Sequence, residues 1–267
     1  MDELMDRDLA QLVETVEAEA YADLLRAAPA DWRFVAEETD AGWFLLAPTL
    51  DVLLFNRVIA AGVRTPVRQT DLAALLARYR SAGVRNFGVQ LSPAAQPAAV
   101  GEWLQAAGLT AHDRWTKVHR SSSPVTPAST NLRIELVQPD QAATFAAVTT
   151  DGFGMPIGLR PWIASSVGRP RWRHYLAFNG TEAVAGGALF VRGDVGWLGI
   201  ASTLPAARRR GAQAALMARR LEDGLAVGYR WFVTETGEDL AERPNPSFHN
   251  MMRAGFMVAY HRPNFLP

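Results

Sequence analysis

The chain has 267 residues, of which 49% are hydrophobic and 20% charged, so it can build a substantial core and is not disordered. Lysine plus arginine number 27, as do aspartate plus glutamate, and this balance argues against a general binder of nucleic acid or of membrane surfaces. The absence of cysteine excludes disulfides, thiol catalysis and thiolate metal sites. An acidic start and the lack of any run of ~20 apolar residues predict a soluble cytoplasmic protein without a membrane span.

The first half of the chain predicts alternating helices and strands. Helical spacing of apolar residues predicts helices, over residues 2–27, 70–83 and 98–107. Apolar, β-favouring runs bounded by turn residues predict strands, over residues 32–46 with a turn at 40–42, and over 52–59, 86–91 and 114–120.

A segment rich in serine, threonine and proline follows, at residues 121–130. It contributes almost nothing to a core and contains two prolines, as linkers often do. The sequence therefore predicts one domain over residues 1–120 and a second over residues 131–267.

The second half predicts the same kinds of element. Strands are predicted over residues 132–137, 175–178, 183–191, 195–202, 231–234 and 256–260. Helices are predicted from residue 139 through 148 and over 212–227 and 247–254, and an irregular Gly/Pro-rich stretch separates two of these elements at 152–170. On the helix over 212–227, Arg219 and Arg220 fall on the face opposite the apolar stripe, which predicts that both are exposed.

The two halves share a pattern of helix, glycine and strand. Gly83 ends a helix before the strand over 86–91, and Gly228 ends a helix before the strand over 231–234. A repeat of this length predicts a duplicated domain rather than a solenoid.

The most informative segment is a strand, a tight turn and a helix around residues 208–211, which read Arg-Arg-Arg-Gly. Gly211 allows the backbone to turn sharply and to approach a ligand closely. Free N–H groups at the helix start, together with the helix dipole, favour an anion, and the arginines add charged donors. Three cations are unfavourable at a helix N-terminus by themselves, and an anionic ligand such as a pyrophosphate would relieve that conflict.

This arrangement resembles the GNAT superfamily of acyl-CoA-dependent N-acyltransferases. The family signature is Arg/Gln-x-x-Gly-x-Gly/Ala, and the chain has Arg208-x-x-Gly211-x-Gln213, with glutamine at the last position. It also has an asparagine-containing segment starting at Asn245 and the pair Gly255-Phe256. The resemblance covers residues 132–262.

The resemblance implies an α/β (α+β) protein of two tandem GNAT-like domains, each a mixed, mostly antiparallel sheet flanked by helices. It implies acetyl-CoA (coenzyme A) as the acyl donor, bound by the strand, the turn and the following short helix. The implied cofactor-binding residues are Ala201, Ser202, Thr203, Leu204, Arg208, Arg209, Arg210, Gly211, Ala212, Gln213, Asn245, Ser247 and Asn250. In the first half Thr65-Pro66 occupies the matching position, and because proline lacks an N–H, residues 1–120 are predicted to be a degenerate copy without a cofactor site.

The residues available for proton transfer differ from those that GNAT proteins commonly have. No carboxylate lies on the strand over 198–203, and Met251 occupies the position where the family often has a tyrosine. The candidate catalytic residues are therefore Glu235 as base, Tyr260 as acid, and His249, with direct attack by the amine and oxyanion stabilisation by backbone donors near Leu204.

Two aromatic residues of the irregular stretch, Phe153 and Trp162, are predicted to line the acceptor site, with core packing as the alternative for Trp162. The five histidines lack metal-ligand spacing, so no metal is predicted. The sequence predicts an N-acetyltransferase that acts on a small-molecule or peptide amine, binds neither nucleic acid nor membrane, and is a monomer.

Three other functions stay open. The departures at the catalytic positions favour a non-catalytic acyl-CoA-binding or sensory module. An aminoacyl-transferase using charged tRNA disagrees with the zero net charge. An ATP-binding enzyme disagrees with the absence of a Lys-Ser/Thr pair after Gly211.

Overall fold

Helices and strands alternate throughout the computed structural model, which describes residues 2–267. The α-helices of this part of the chain are α1 (Asp2–Arg26), α2 (Gln69–Ser81), α3 (Val100–Ala106), α4 (Ala142–Phe153), α5 (Arg160–Ser165), α6 (Ala212–Ala226) and α7 (Pro246–Arg253). The strands are β1 (Val35–Thr39), β2 (Gly42–Leu46), β3 (Arg57–Ile59), β4 (Gly88–Gln90), β5 (Thr110–Ser121), β6 (Arg133–Leu136), β7 (Trp172–Asn179), β8 (Glu182–Arg192), β9 (Val195–Thr203), β10 (Trp231–Gly237) and β11 (Met257–Leu266). None of the described helices is long and apolar enough to cross a membrane.

The first compact unit comprises the chain up to Lys117 together with residues 236–238 and 258–267. Its strands are ordered β1-β2-β3-β4-β11-β5. The β1–β2 and β2–β3 pairs are antiparallel, whereas β3 and β4 are parallel because helix α2 connects them. Apolar side chains of α2 and α3, among them Leu72, Leu76 and Leu104, pack against this sheet and form its core.

A cluster of charged side chains is buried in the first unit. Glu17 of α1 accepts hydrogen bonds from Lys117 at 2.7 Å and from Arg262 at 2.7 and 2.9 Å, and Arg57 lies 3.2 Å away. Burial raises the pKa of Glu17, but attraction to Arg262, Lys117 and Arg57 outweighs it and holds that pKa far below its usual value. Glu17 is therefore an anion that joins α1 to three strands.

The second compact unit comprises residues 118–235 and 239–257. Its strands are ordered β10-β9-β8-β7-β6, with all neighbours antiparallel except β9 and β10, which helix α6 connects. Residues such as Leu198, Leu216 and Phe232 form a core between the sheet and α6. Helix α4 packs against the same sheet through the fully buried Phe145.

Several sequence predictions differ from the structure. The predicted strand over 52–59 is a strand only at Arg57–Ile59, and the stretch over 152–170 contains helix α5, which its glycines and prolines concealed. The final strand runs to Leu266 and pairs with β4, so residues 258–267, like residues 236–238, lie in the first unit rather than in the second. Arg220 was predicted to be exposed and is buried.

Candidate functional site

The parallel strands β9 and β10 separate part-way along their length. Their pairing covers only Trp231↔Val195 to Val233↔Trp197, although β9 continues to Thr203. One residue further on, Thr234 Oγ1 still donates to the Leu198 carbonyl at 2.6 Å. Beyond that point a gap opens between residues 199–203 and Glu235.

Strand β9 carries a bulge at the start of this gap. Its register with β8 passes from Ala188↔Gly199 to Gly186↔Ser202, so β9 has one extra residue. Ile200 adopts a φ of 50°, a left-handed conformation that is rare for a β-branched side chain. Strain of this kind persists only where the surroundings impose it, and it is frequent at functional sites.

The bulge decides which backbone groups face the gap. The N–H of Leu204 itself donates to the Val184 carbonyl of β8 at 2.9 Å, so an oxyanion donor near Leu204 must be another backbone N–H. Leu204 bonds to β8 and backbone direction alternates along a strand, so Ser202 also faces β8 and we infer that the backbone groups of Ala201 and Thr203 face the gap.

Next to the gap, residues 208–211 form the arginine turn. Arg209 and Gly211 both adopt left-handed conformations, with φ of 62° and 80°. Within the described structure, no protein acceptor is found for the backbone N–H groups of residues 209–214, and helix α6 has no side-chain cap. These N–H groups and the helix dipole form a concave site suited to an anion.

Only glycine fits at the end of the arginine turn. A Cβ on Gly211 would lie 2.9 Å from the Ser129 carbonyl oxygen, in addition to its strained φ. Thr130 Oγ1 donates to the Arg210 carbonyl at 2.8 Å. Residues 121–130, predicted as a linker, thus contribute Ser129 and Thr130 to the support of the turn.

The three arginines of the turn are exposed at its surface. Arg208 donates to the carbonyls of Thr203 and Gly152, each at 3.4 Å, and Arg210 donates to Asn179 Oδ1 at 3.0 Å. None of these partners is a carboxylate, so the positive charge of the turn stays available to an anionic ligand.

Helix α7 is joined to the start of α6 by side-chain amides. Gln213 Nε2 donates to Ser247 Oγ at 3.0 Å, and Asn250 Nδ2 donates to Gln213 Oε1 at 2.6 Å. Asn245 caps α7 by accepting from the N–H groups of Ser247 and Phe248 at 3.0 and 3.3 Å. Gln213 therefore turns its side chain toward α7 and leaves its backbone N–H exposed at the turn.

Two of the predicted catalytic residues belong to this unit. Glu235 follows the last paired residues of β10, and its Oε2 accepts a hydrogen bond from the indole Nε1–H of Trp197 at 2.9 Å. His249 Nε2 lies 3.3 Å from Oδ1 of Asp239, and its side chain is 48% exposed. The structure thus brings Glu235 to the gap and places His249 in a surface pair.

Comparisons of sequence identify no relatives: no protein-family model matches the chain, and no curated protein matches it. Solved structures do match its fold. A GCN5-related N-acetyltransferase from Kribbella flavida aligns with a TM-score of 0.65 over 95% of both chains, at 18% identity. A second one, from Sphaerobacter thermophilus, aligns with a TM-score of 0.57 over 74% of this chain and 68% of its own, at 15% identity.

A tandem GNAT protein from the clavulanic acid biosynthesis pathway aligns with a TM-score of 0.53 over 78% of this chain and 73% of its own, at 19% identity. The chain has the tandem GNAT fold. This confirms the fold class that the resemblance to the GNAT superfamily implied.

The first unit repeats the strand–helix–strand arrangement of the second, but a later segment of its own chain closes off the strand end. Parallel β3 and β4 flank α2 as β9 and β10 flank α6, and Ala60 after β3 has a φ of 61°. Here the backbone of Gln96 forms two hydrogen bonds. Its N–H donates to the Gly62 carbonyl, and its carbonyl accepts from the Val67 N–H, each at 2.9 Å. The strand end and the turn are therefore already paired.

Tyr260, the predicted acid, lies in the first unit. Its hydroxyl donates to Glu14 Oε1 at 2.8 Å, and burial raises its pKa well above the usual value. The C-terminal strand carries it there because that strand pairs with β4. Met251, which replaces the tyrosine common in GNAT proteins, packs in the core of the second unit.

The two predicted acceptor-site residues differ in exposure. Phe153 at the end of α4 is 52% exposed, and Ile157 in the next turn is 69% exposed. Trp162 has no exposed surface, so it packs in the core rather than lining an open pocket.

His174 is also internal, with its Nε2 3.0 Å from Ser166 Oγ. Among residues 7–267, whose side chains the structure describes, no group of three or more His, Asp or Glu side chains is arranged to hold a metal ion.

Proposed function

We propose that the chain is an acyl-CoA-dependent N-acyltransferase that transfers an acetyl group from acetyl-CoA to a primary amine, using one site in its second unit. The observation that carries the proposal is the gap beside the arginine turn. An acyl carrier needs a strand-like partner for its amide-containing arm and an anion site for its pyrophosphate, and the two lie next to each other here.

Each part of the acyl carrier has a matching set of backbone groups in this site. The amides of Ala201 and Thr203 would pair with the pantetheine arm, since they face the gap. The N–H groups of residues 209–214 would receive the pyrophosphate, with the exposed arginines adding charge. The hydroxyl of Ser247 accepts from Gln213 and keeps its proton to donate to a carbonyl of the arm.

The acyl transfer itself would proceed by direct attack. The amine must lose a proton, and Glu235 at the gap is the carboxylate placed to accept it, directly or through water. The indole of Trp197 holds that carboxylate in position. The N–H of Ala201 or Thr203 would stabilise the developing oxyanion.

The first unit takes no part in binding the carrier under this proposal. Gln96 already uses the Val67 N–H and the Gly62 carbonyl, and a Cβ at Gly62 would collide with the Gln96 backbone. Displacing this segment would break two backbone hydrogen bonds, which opposes binding there.

Calorimetric titration of acetyl-CoA tests the proposal. We expect one site per chain and no detectable binding to Gly211→Ala, because the added Cβ would collide with the Ser129 carbonyl. Gly193→Ala is the matched control: Gly193 also has a positive φ, of 58°, in the β8–β9 turn, but a Cβ at that position would meet no atom within 4 Å, and binding should persist.

Two sites per chain would disprove the closure of the first unit, and no binding at millimolar acetyl-CoA by the folded protein would disprove the proposal. A panel of primary amines then separates the enzyme from its alternative. Binding of acetyl-CoA without acetylation of any amine would favour a non-catalytic acyl-CoA sensor, a function that the core position of Met251 also favours.

A further inference from the structure

An arginine is buried beneath the bulge of β9. Arg220 of α6 is 1% exposed, and it donates from Nε to the Leu216 carbonyl at 2.9 Å. Its Nη1 donates to the carbonyls of Ala188 at 2.9 Å and Gly199 at 3.4 Å. Among the described residues no carboxylate forms an ion pair with it, and burial lowers its pKa to about 10, so it stays charged at neutral pH.

Burying a charged side chain costs free energy of folding, so its presence here indicates a role that a hydrophobic residue could not fill. A buried guanidinium without an anionic partner loses its hydration, and the carbonyl dipoles compensate only in part. The two carbonyls that Nη1 contacts belong to Ala188 and Gly199, which are the last facing pair before the register of β8 and β9 shifts. Arg220 therefore holds the edge of the bulge.

The bulge reverses the direction of the backbone beyond it. Leu198 directs its carbonyl toward β10, where Thr234 donates to it, whereas Leu204 directs its N–H toward β8. These two residues have the same parity along the strand and would face the same neighbour in a regular strand. The extra residue is the reason that Ala201 and Thr203, rather than Ser202, face the gap.

We propose that Arg220 is a positioning residue for acyl transfer: by holding the Gly199 carbonyl it fixes the bulge and so selects the backbone groups that receive the acyl carrier. The inference rests on the proposed function. Gly187 provides independent support, because a Cβ there would lie 3.1 Å from Arg220 Cζ, so glycine is what leaves room for the guanidinium.

Hydrogen exchange with and without acetyl-CoA tests the inference on the full chain. In the wild type we expect acetyl-CoA to protect the amides of Ala201 and Thr203 and also those of residues 209–213. In Arg220→Met the protection at Ala201 and Thr203 should be lost while that at residues 209–213 persists, and Arg220→Lys should restore part of it by returning a charged donor.

Kinetics provide the second readout. We expect kcat, measured with the amine that the wild type acetylates fastest, to fall about tenfold or more in Arg220→Met, since misplacing a donor by ~1 Å has effects of this size. The dissociation constant of free CoA should rise by a smaller factor, because Arg220→Met removes the contacts of the pantetheine arm but leaves those of the pyrophosphate at residues 209–213. Gly187→Ala should give the same pattern more weakly, and Gly186→Ala is its control because its Cβ would meet Phe145 at 3.2 Å instead of Arg220.

The outcomes separate the two proposals. A wild type that neither binds acetyl-CoA nor shows protection contradicts the proposed function. A wild type that binds, combined with equal protection and unchanged kcat in Arg220→Met, contradicts the role of Arg220 and leaves the function intact. Leu75→Ala in the core of the first unit controls for lowered stability, because it should reduce Tm without changing the protection at Ala201 and Thr203.

Discussion

The indole N–H of Trp197 donates a 2.9 Å hydrogen bond to a carboxylate oxygen of Glu235, across the two strands where their backbone pairing ends. Trp197 is 1% exposed, so its position is fixed by the surrounding core. Glu235 thereby has a defined orientation at the mouth of the gap. This relationship supports the proposal that Glu235, which the sequence analysis named as a candidate base, accepts the proton of the amine.

Replacing Glu235 by glutamine should lower kcat for amine acetylation by about a hundredfold, because a general base contributes roughly that much or more. Trp197→Phe should reduce kcat less, since the carboxylate stays but loses its fixed orientation. Steady-state kinetics at saturating acetyl-CoA measure both effects. Equal activity in the wild type and Glu235→Gln would remove Glu235 from the mechanism, and Glu182→Gln, at an exposed position of β8, serves as a control.

Replacing Gln213 by alanine should loosen α7 even though GNAT proteins commonly have glycine or alanine at that position. The change removes two hydrogen bonds, to Ser247 and Asn250, and each contributes about 1 kcal/mol to the free energy of unfolding. We expect KM for acetyl-CoA to rise several-fold with little change in kcat. Unaltered stability and KM would show that the Gln213 amide does not hold α7.

The stability of the protein should fall in mild acid through His174. Burial lowers its pKa from 6.5 to about 3, so as the pH decreases below 6.5 the unfolded state takes up a proton and the folded state does not. The free energy of unfolding should decrease by about 1.4 kcal/mol per pH unit from this group between pH 6 and pH 4. Urea unfolding at a series of pH values gives the free energy of unfolding against pH. This plot should be steeper for the wild type than for His174→Gln, and parallel plots would contradict the prediction.

The buried cluster of the first unit should depend on the charge of Glu17. In Glu17→Gln, Lys117, Arg57 and Arg262 lose the anion they share, and leaving buried charge uncompensated costs about 3–5 kcal/mol. Denaturant unfolding measures the change, with Glu38→Gln as the control because its ion pair with Arg64 is exposed and contributes little. A small loss from Glu17→Gln, similar to that of the control, would show that Glu14 alone balances the cations.

Much of the fold followed from local patterns. Helical periodicity located α2 and α6, and the glycine after each helix marked the strand that follows, because these signals depend only on neighbouring residues. The Arg208–Gly211 sequence indicated an anion-binding turn since its chemistry lies in consecutive backbone N–H groups. The resemblance to GNAT proteins then gave the order of the remaining elements.

What the tertiary structure alone decided concerns residues far apart in sequence. Tyr260 lies with Glu14 because the last strand pairs with β4, and no local pattern predicts which sheet position a terminal strand takes. Arg220 looked exposed because its helix face is polar by sequence, yet carbonyls of two strands supply its hydrogen bonds. The bulge at Ile200 depends on the pairing of β8 with β9. The sequence by itself determined most of the elements and the position of the turn, whereas the direction of the backbone in the gap arises only from contacts between strands.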